Sequence, residues 1–410
     1  MLQFQNWPIS MYLLLITTLI LLIARIVWQP PFPLAAPPLL KESLPIVGAL
    51  RFFSARANFC KDGASKTKTG NYSFYFGKYR IVGLSGVEGR KTFYQSKDFS
   101  LFEGYAALLT ATPNVNVEEN GTKFDVWFLR KITTLMKKDN LVKGLRFLVS
   151  DTSSALNRVV ARCGTGGGIF DPFDEMNRIV YHLTMRTVGT NEIAESQELL
   201  DRSLHLVEVI DDNNSTARIM FPWLLTLKHV KRLVAAGRMY LMINRILRDR
   251  RRTGRREDDA VQLLLDEGAS TTRIFVINGL LVAKHRISPE QTPLDILGKL
   301  TLDDWESDFP LTNLCLHESI RLQTVGTAFR KNVSGRDVQI GNTSEVVPKD
   351  GFAAFHLDDI HMNPDIYSDP TKFDPARYLP DRAEDKKVPL AYGGWGIGRH
   401  PCCGLYLSFL

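Results

Sequence analysis

Near the C-terminus, Gly393, Gly394, Gly396 and Gly398 lead into Pro401, Cys402, Cys403 and Gly404. Neither a helix nor a strand runs comfortably through such a segment, because glycine forfeits backbone order and proline removes a donor. It must be a tight loop of little side-chain bulk, through which backbone can approach a flat ligand. A cysteine at its end can act as a thiolate, the metal-binding form, which nearby cations or N–H groups favour. Arg399 and His400 supply positive charge where a ligand's carboxylates could be met. The alternative is a redox pair, Cys402 with Cys403, although a disulfide between adjacent cysteines is strained and uncommon. Cys60, Cys163 and Cys315 complete an odd, scattered set of five, which argues against a secreted disulfide framework.

The opposite end of the chain is equally distinctive. Ile9 to Trp28 is almost wholly apolar, with Arg25 its one charge, and 20 residues at 1.5 Å each reach the ~30 Å of a bilayer core. No basic segment precedes it as in a secretory signal, and Arg25, Lys41 and Arg51 follow it, so a retained single span with the body in the cytoplasm is expected. Pro30, Pro31, Pro33, Pro37, Pro38 and Pro45 then read as a stiff extended spacer. The expected organisation is an anchor at 1–28, a proline-rich hinge at 29–48 and one body at 49–410.

Within the body, Tyr72–Phe76 and Tyr79–Leu84 read as a hairpin around Gly77-Lys78. Helical spacing dominates from Pro172 to Val188, from Asn191 to Ile210 and from Pro222 through Leu247; short strands return between Val338 and His356. The fold class is mainly α with small β-sheets near both ends. Lys plus Arg total 51 against 44 Asp plus Glu. That excess suits an anionic membrane surface or an acidic partner and, spread over 410 residues, is weak evidence for nucleic acid. The arginine run Arg245–Arg256 abuts Glu257-Asp258-Asp259 and reads as a solvated, self-neutralised loop. Gly164–Gly168 lacks the Lys-Ser/Thr of a phosphate loop. His317-Glu318 has Arg321 where a zinc helix needs its second histidine, and His356, Asp358, Asp359 and His361 read as a hydrogen-bonded corner rather than a metal site.

The loop Gly393–Gly404 resembles the cysteine ligand loop of the cytochrome P450 superfamily, the haem-thiolate monooxygenases, and in particular its fungal membrane-bound members. Three further segments match in the family's order: Glu318-Ser319-Ile320-Arg321 resembles its Glu-x-x-Arg helix, His361–Tyr367 with Asp369-Pro370 the stretch that follows the small strands, and Phe373–Tyr378 the segment whose arginine, Arg377, joins that pair. The resemblance implies one haem with Cys402 as axial thiolate to iron, and Arg330, Arg399 and His400 as partners of its propionates. It also implies O2, a small lipophilic substrate, an NADPH-dependent reductase as electron donor, and an endoplasmic-reticulum membrane with the main domain facing the cytoplasm. Glu318, Arg321 and Arg377 are expected to be structural.

Two departures stand out. The apolar start Arg273–Ala283 of an oxygen-side helix breaks at Lys284-His285-Arg286 and Pro289, so most of that helix and the next is expected to be absent. Glu267–Thr271 has the residue types of a proton-delivery motif but lies ahead of that start. The chain also runs only to Leu410, too short for the family's helix beneath the haem. A P450-like but incomplete fold is therefore expected, and either a haem monooxygenase or a truncated, impaired remnant of one.

Overall fold

Tyr72–Phe76 (β1) and Tyr79–Leu84 (β2) pair antiparallel around Gly77, which takes φ 56°, as the hairpin reading requires. In the computed structural model, which describes residues 9–109, 124–135, 138–163, 168–169, 171–213, 217–218, 221, 224–275, 310–324 and 326–400, this hairpin belongs to the first of two compact units. That unit combines Met1–Leu108 with Ile219–Pro222 and Cys315–Pro401. Strands from the two ends of the chain form one sheet here, where the sequence suggested two. Phe99–Ser100 (β3), Thr327–Asn332 (β4) and the later strand Phe352–His356 join the hairpin, and the last of these pairs parallel to β2 and antiparallel to β4. Val338–Gln339 (β5) and Val346–Val347 (β6) make a separate two-stranded ribbon, so Phe352–His356 is β7.

Every residue of β1 and β7 is buried, because both faces of the sheet are covered. Successive strand residues point to opposite faces. Phe352 and Ala354 therefore join a core with Phe52, Phe59, Phe74 and Ile81, while Ala353 and Phe355 join Val82, Leu84, Phe93 and Tyr367 on the other side. This explains why Phe-Ala-Ala-Phe-His shows no polar alternation.

The proline-rich stretch does not stand clear as a spacer. Ser73 N–H donates to Pro38 O (2.9 Å), Leu40 N–H to Ser73 O (2.9 Å) and the Tyr75 hydroxyl to Pro30 O (2.8 Å). β1 is an edge strand with unpaired backbone groups, and prolines, which lack a donor, still offer carbonyls to cover it.

Ahead of this stretch, the apolar run forms helix α1, Ile9–Val27, with Leu13, Leu14 and Ile20 more than half exposed. Among the described residues no helix is long and apolar enough to cross a membrane. The uncharged part of α1, Ile9 to Ala24, rises only ~24 Å before Arg25, short of a ~30 Å hydrocarbon core. The expected spanning anchor is thus not provided by the described fold.

The second unit is helical. It includes Lys138–Cys163, Pro172–Val188, Asn191–Glu195, Gln197–Asp212, Leu227–Thr253 and Ala260–Asp266. Pro172 opens its helix at the first turn, where a missing N–H does no harm, and Asp174 and Glu175 follow it. The helix expected over Asn191–Ile210 is broken at Ser196, whose hydroxyl accepts from Leu199 N–H and caps the second piece. The segment expected from Pro222 begins at Leu227 behind the Thr226 cap and ends at Gly254, left-handed at φ 69°.

The arginine run corrects the sequence reading in one respect. Arg255 and Arg256 are exposed and paired with Glu257 and Asp266, but Arg250 is buried. It donates to Glu192 Oε1 (2.8 Å) and to Asp259 Oδ1 (2.9 Å), and Asp259 also caps the helix Ala260–Asp266 through Gln262 N–H (2.8 Å). Removing one member of a buried ion cluster strands the others. Arg250→Ala should lower unfolding stability by about 3–5 kcal/mol, whereas Arg252→Ala, on the exposed face, should stay within about 0.5 kcal/mol in the same denaturation assay.

Candidate functional site

In the first unit the helix Pro310–Gln323 carries Glu318 and Arg321 one turn apart, on one face. Both side chains are fully buried, as is that of Arg377 from the one-turn helix Pro375–Tyr378. Glu318 Oε1 accepts from Arg321 Nη2 (2.7 Å), Arg377 Nε (3.0 Å) and the Asp374 amide (3.0 Å); Oε2 accepts from Arg321 Nε (2.9 Å) and the Tyr378 hydroxyl (2.9 Å). Burial raises the pKa of this carboxyl, but the bonds from Arg321, Asp374 and Tyr378 outweigh it and hold it below its ordinary value. The arginines' remaining donors meet carbonyls: Arg321 reaches His361 O (2.6 Å) and Pro370 O (2.7 Å), and Arg377 reaches Ser368 O (2.9 Å).

The expected triad therefore forms, and it is larger than the sequence suggested. Arg377 Nη1 also donates to Glu384 (2.6 Å), which Arg382 (2.9 Å) and the Ser368 hydroxyl (2.7 Å) share. Against the upward push of burial, Ser368, Arg382 and Arg377 bring Glu384 down to about 2. No motif marks Glu384; only the unusual density of charge around Arg382 hints at it.

His361 was read as part of a hydrogen-bonded corner, and the structure gives it a place beside the loop. Its carbonyl accepts from Arg321 and its Nε2 accepts from Gly393 N–H (3.0 Å). The rest of the corner is hydrogen-bonded as expected: the His356 ring meets the Thr327 hydroxyl (3.0 Å) and Asp359 accepts from Gly86 N–H (3.1 Å).

The loop's far side rests on the C-terminal end of helix Gly86–Gln95. Arg330 donates to Phe93 O (2.5 Å), Arg399 N–H to Tyr94 O (3.1 Å) and Arg399 Nη1 to Ser96 O (3.0 Å). A helix C-terminus is where such cations are favoured. Two of the loop glycines answer to close packing, Gly398 on this helix and Gly394 on the helix Pro310–Gln323, rather than to a ligand. A Cβ on Gly398, at φ 68°, would stand 2.4 Å from Tyr94 O, and one on Gly394 2.4 Å from Ile320 Cγ2.

Arg330, Arg399 and His400 are thereby brought together without a carboxylate. Burial lowers the Arg330 pKa to about 10; burial, then the charges of Arg330 and Arg399, lower His400 to about 4. Arg330 Nε and His400 Nε2 are buried with no hydrogen-bond partner among the described residues. Orphaned buried donors in a cationic cluster suit an anion, and two propionates of a haem fit that demand. Pro401, Cys402, Cys403 and Gly404 lie outside the described residues, as does the expected oxygen-side helix beyond Phe275. Ahead of that point the Ser270 hydroxyl accepts from Arg273 N–H and so caps the chain's entry into Thr271–Phe275.

A family profile for cytochrome P450 matches residues 298–409, which contain the triad and the loop. Over 95% of its length the chain is 28% identical to the cytochrome P450 monooxygenase AacuE of Aspergillus aculeatus, covering 86% of that protein. It is also 28% identical to the cytochrome P450 monooxygenase nsrP of Aspergillus novofumigatus, over 93% of this chain and 82% of that one. Over nearly its whole length, then, the chain is similar to cytochrome P450 monooxygenases. The retinoic acid-bound cyanobacterial CYP120A1 shares its fold, with a TM-score of 0.69 at 17% identity over 92% of this chain and 91% of that one. The match to AacuE extends over 438 aligned positions, more than the 410 residues of this chain, so the relative has residues with no counterpart here.

The buried network predicts two responses. Glu318→Gln leaves two buried guanidinium groups short of their counter-charge and should lower unfolding stability by about 3–5 kcal/mol in chemical denaturation. Burial and the Arg321 charge, opposed by Asp358, push His361 down to about 4, so it stays neutral in the folded chain where the unfolded chain takes up a proton. The stability this contributes is whole above pH ~6.5 and is lost as pH falls towards about 4. Denaturation at pH 7 and pH 5 should show a loss with an upper limit of roughly 2 kcal/mol from this site, and His361→Gln should flatten that part of the profile.

Proposed function

We propose that this chain is a haem-thiolate monooxygenase of lipophilic organic substrates in which Cys402 is the iron ligand and Arg330, Arg399 and His400 hold the haem propionates. The observation that carries the reading is the cationic cluster with orphaned buried donors at the base of the glycine loop, directly ahead of Pro401-Cys402 in the sequence. When bound, the haem supplies the oxygen chemistry, and the cysteine thiolate tunes its electronics. The chain's own part is to hold the thiolate loop between the triad and the Gly86–Gln95 helix, to neutralise two carboxylates, and to keep water from the buried side. Electrons come from an NADPH-dependent reductase. The apolar surface of α1 lies against the cytoplasmic face of the endoplasmic reticulum, bedded in its interface with Arg25 at the headgroups.

A second reading is favoured by one observation. The relatives carry residues that have no counterpart here, and the apolar start at Arg273–Phe275 leads into sequence broken by Lys284-His285-Arg286 and Pro289. On this reading the lost residues include the oxygen-side wall, and the chain is an impaired member of its family.

The two readings separate in a few measurements. Cys402→Ala should abolish the thiolate-type ferrous–carbon monoxide spectrum, and Cys403→Ala should leave it; the reverse would move the ligand by one residue. Arg330→Ala should weaken haem retention by about tenfold without unfolding the sheet. With reductase and NADPH, product formed per NADPH consumed decides between them: tight coupling supports the monooxygenase, and consumption without product supports the impaired form. Flotation with vesicles containing anionic lipid tests the membrane contact, and a chain that fails to float with them would refute it.

A further inference from the structure

We infer that His361 is a positioning residue: its imidazole fixes the Gly393 amide and so carries the position of the buried Glu318–Arg321 pair into the loop that leads to Cys402. The inference rests on the reading that this loop bears the haem ligand. It joins network and loop directly, since one residue accepts from Arg321 through its carbonyl (2.6 Å) and from Gly393 N–H through its ring (3.0 Å). Flanking contacts brace the same turn: the Tyr367 hydroxyl donates to Ala391 O (3.1 Å), the Tyr392 hydroxyl to His317 O (3.1 Å), and the Tyr392 ring lies 5.6 Å from that of His361.

The ring must be neutral to accept, and its surroundings keep it so. His361 is fully buried; Arg321 faces it as a cation and Asp358 as the opposing carboxylate. The backbone of Arg321 and Thr324 acts on the ring in the sense that favours a proton, which belongs on Nδ1 once Nε2 accepts from Gly393. Nδ1 nevertheless makes no aligned hydrogen bond. A ring with only a packing role would be better filled by phenylalanine, which leaves no buried donor unpaired. What histidine adds here is the acceptor.

The test uses the full chain with His361→Phe, His361→Asn and His361→Gln. Phe keeps the ring without an acceptor, Asn is too short to reach Gly393, and Gln restores an acceptor. Amide hydrogen exchange should be faster at Gly393 by about tenfold or more in the Phe and Asn variants, unchanged in β7, and near the parent rate in Gln. On reconstitution with haem, the Phe and Asn variants should retain it about tenfold less well and show a larger share of thiol-type rather than thiolate-type ferrous–carbon monoxide spectrum, with Gln rescuing both. Unchanged Gly393 exchange in Phe and Asn overturns the inference, as does faster exchange with the thiolate spectrum intact. If the parent chain takes up no haem, the functional reading fails, and exchange alone decides whether the tether exists. Should the Phe variant fail to fold, the Asn variant carries the same comparison.

Discussion

One carboxylate without solvent organises the first unit. Glu318 accepts from Arg321 on its own helix and from Arg377, the Asp374 amide and the Tyr378 phenol, which come from a distant and largely irregular stretch of chain. The segment from Pro364 to Arg382 has little regular structure to hold it, so its shape is set by where Arg321 and Arg377 place their spare donors on the carbonyls of His361, Ser368, Pro370 and Lys372. A buried ion cluster is weak support for stability in itself, since well-packed apolar residues often do as well. Its use here is specification: planar guanidinium forks fix several carbonyls at once in a stretch that neither helix nor strand could order.

The glycine loop is held from two sides by different chemistry. On one side it meets the neutral ring of His361, and on the other the carbonyls of Tyr94 and Ser96 take up Arg399. The second contact gathers positive charge without a carboxylate to match it, an arrangement unfavourable to the isolated protein and suited to one that receives an anion.

Much of this was legible beforehand, for identifiable reasons. The hairpin, the helix Pro172–Val188 and the charges of the triad are signalled by local rules: a Gly-Lys turn, a proline at a first turn, two charges at helical spacing. What escaped depends on pairing between distant segments. The single sheet was hidden because Phe352–His356 is buried on both faces and pairs with β2 far away. Glu384 and the burial of Arg250 were hidden because a charged residue in a charged neighbourhood looks solvated until its partners are known. The prolines were misleading in another way, since their stiffness suggested a spacer and their carbonyls serve an edge strand. Cys402, the residue on which the resemblance turns, and the reach of the oxygen-side helix rest on sequence alone.

The parallel pairing of β2 with β7 has a bearing on how the chain is made. Until Phe352–His356 has been synthesised, the Tyr72–Leu84 hairpin has no partner on its inner side, and its aromatic faces lack half their cover. Contacts between such remote segments form late and slowly, because a long loop must close before they are rewarded. During that interval the β2 edge from Ile81 to Leu84 lacks its β7 partner, an open strand prone to pairing with the wrong chain. Yield of the folded protein should therefore be limited less by how stable the finished sheet is than by how long its first two strands wait.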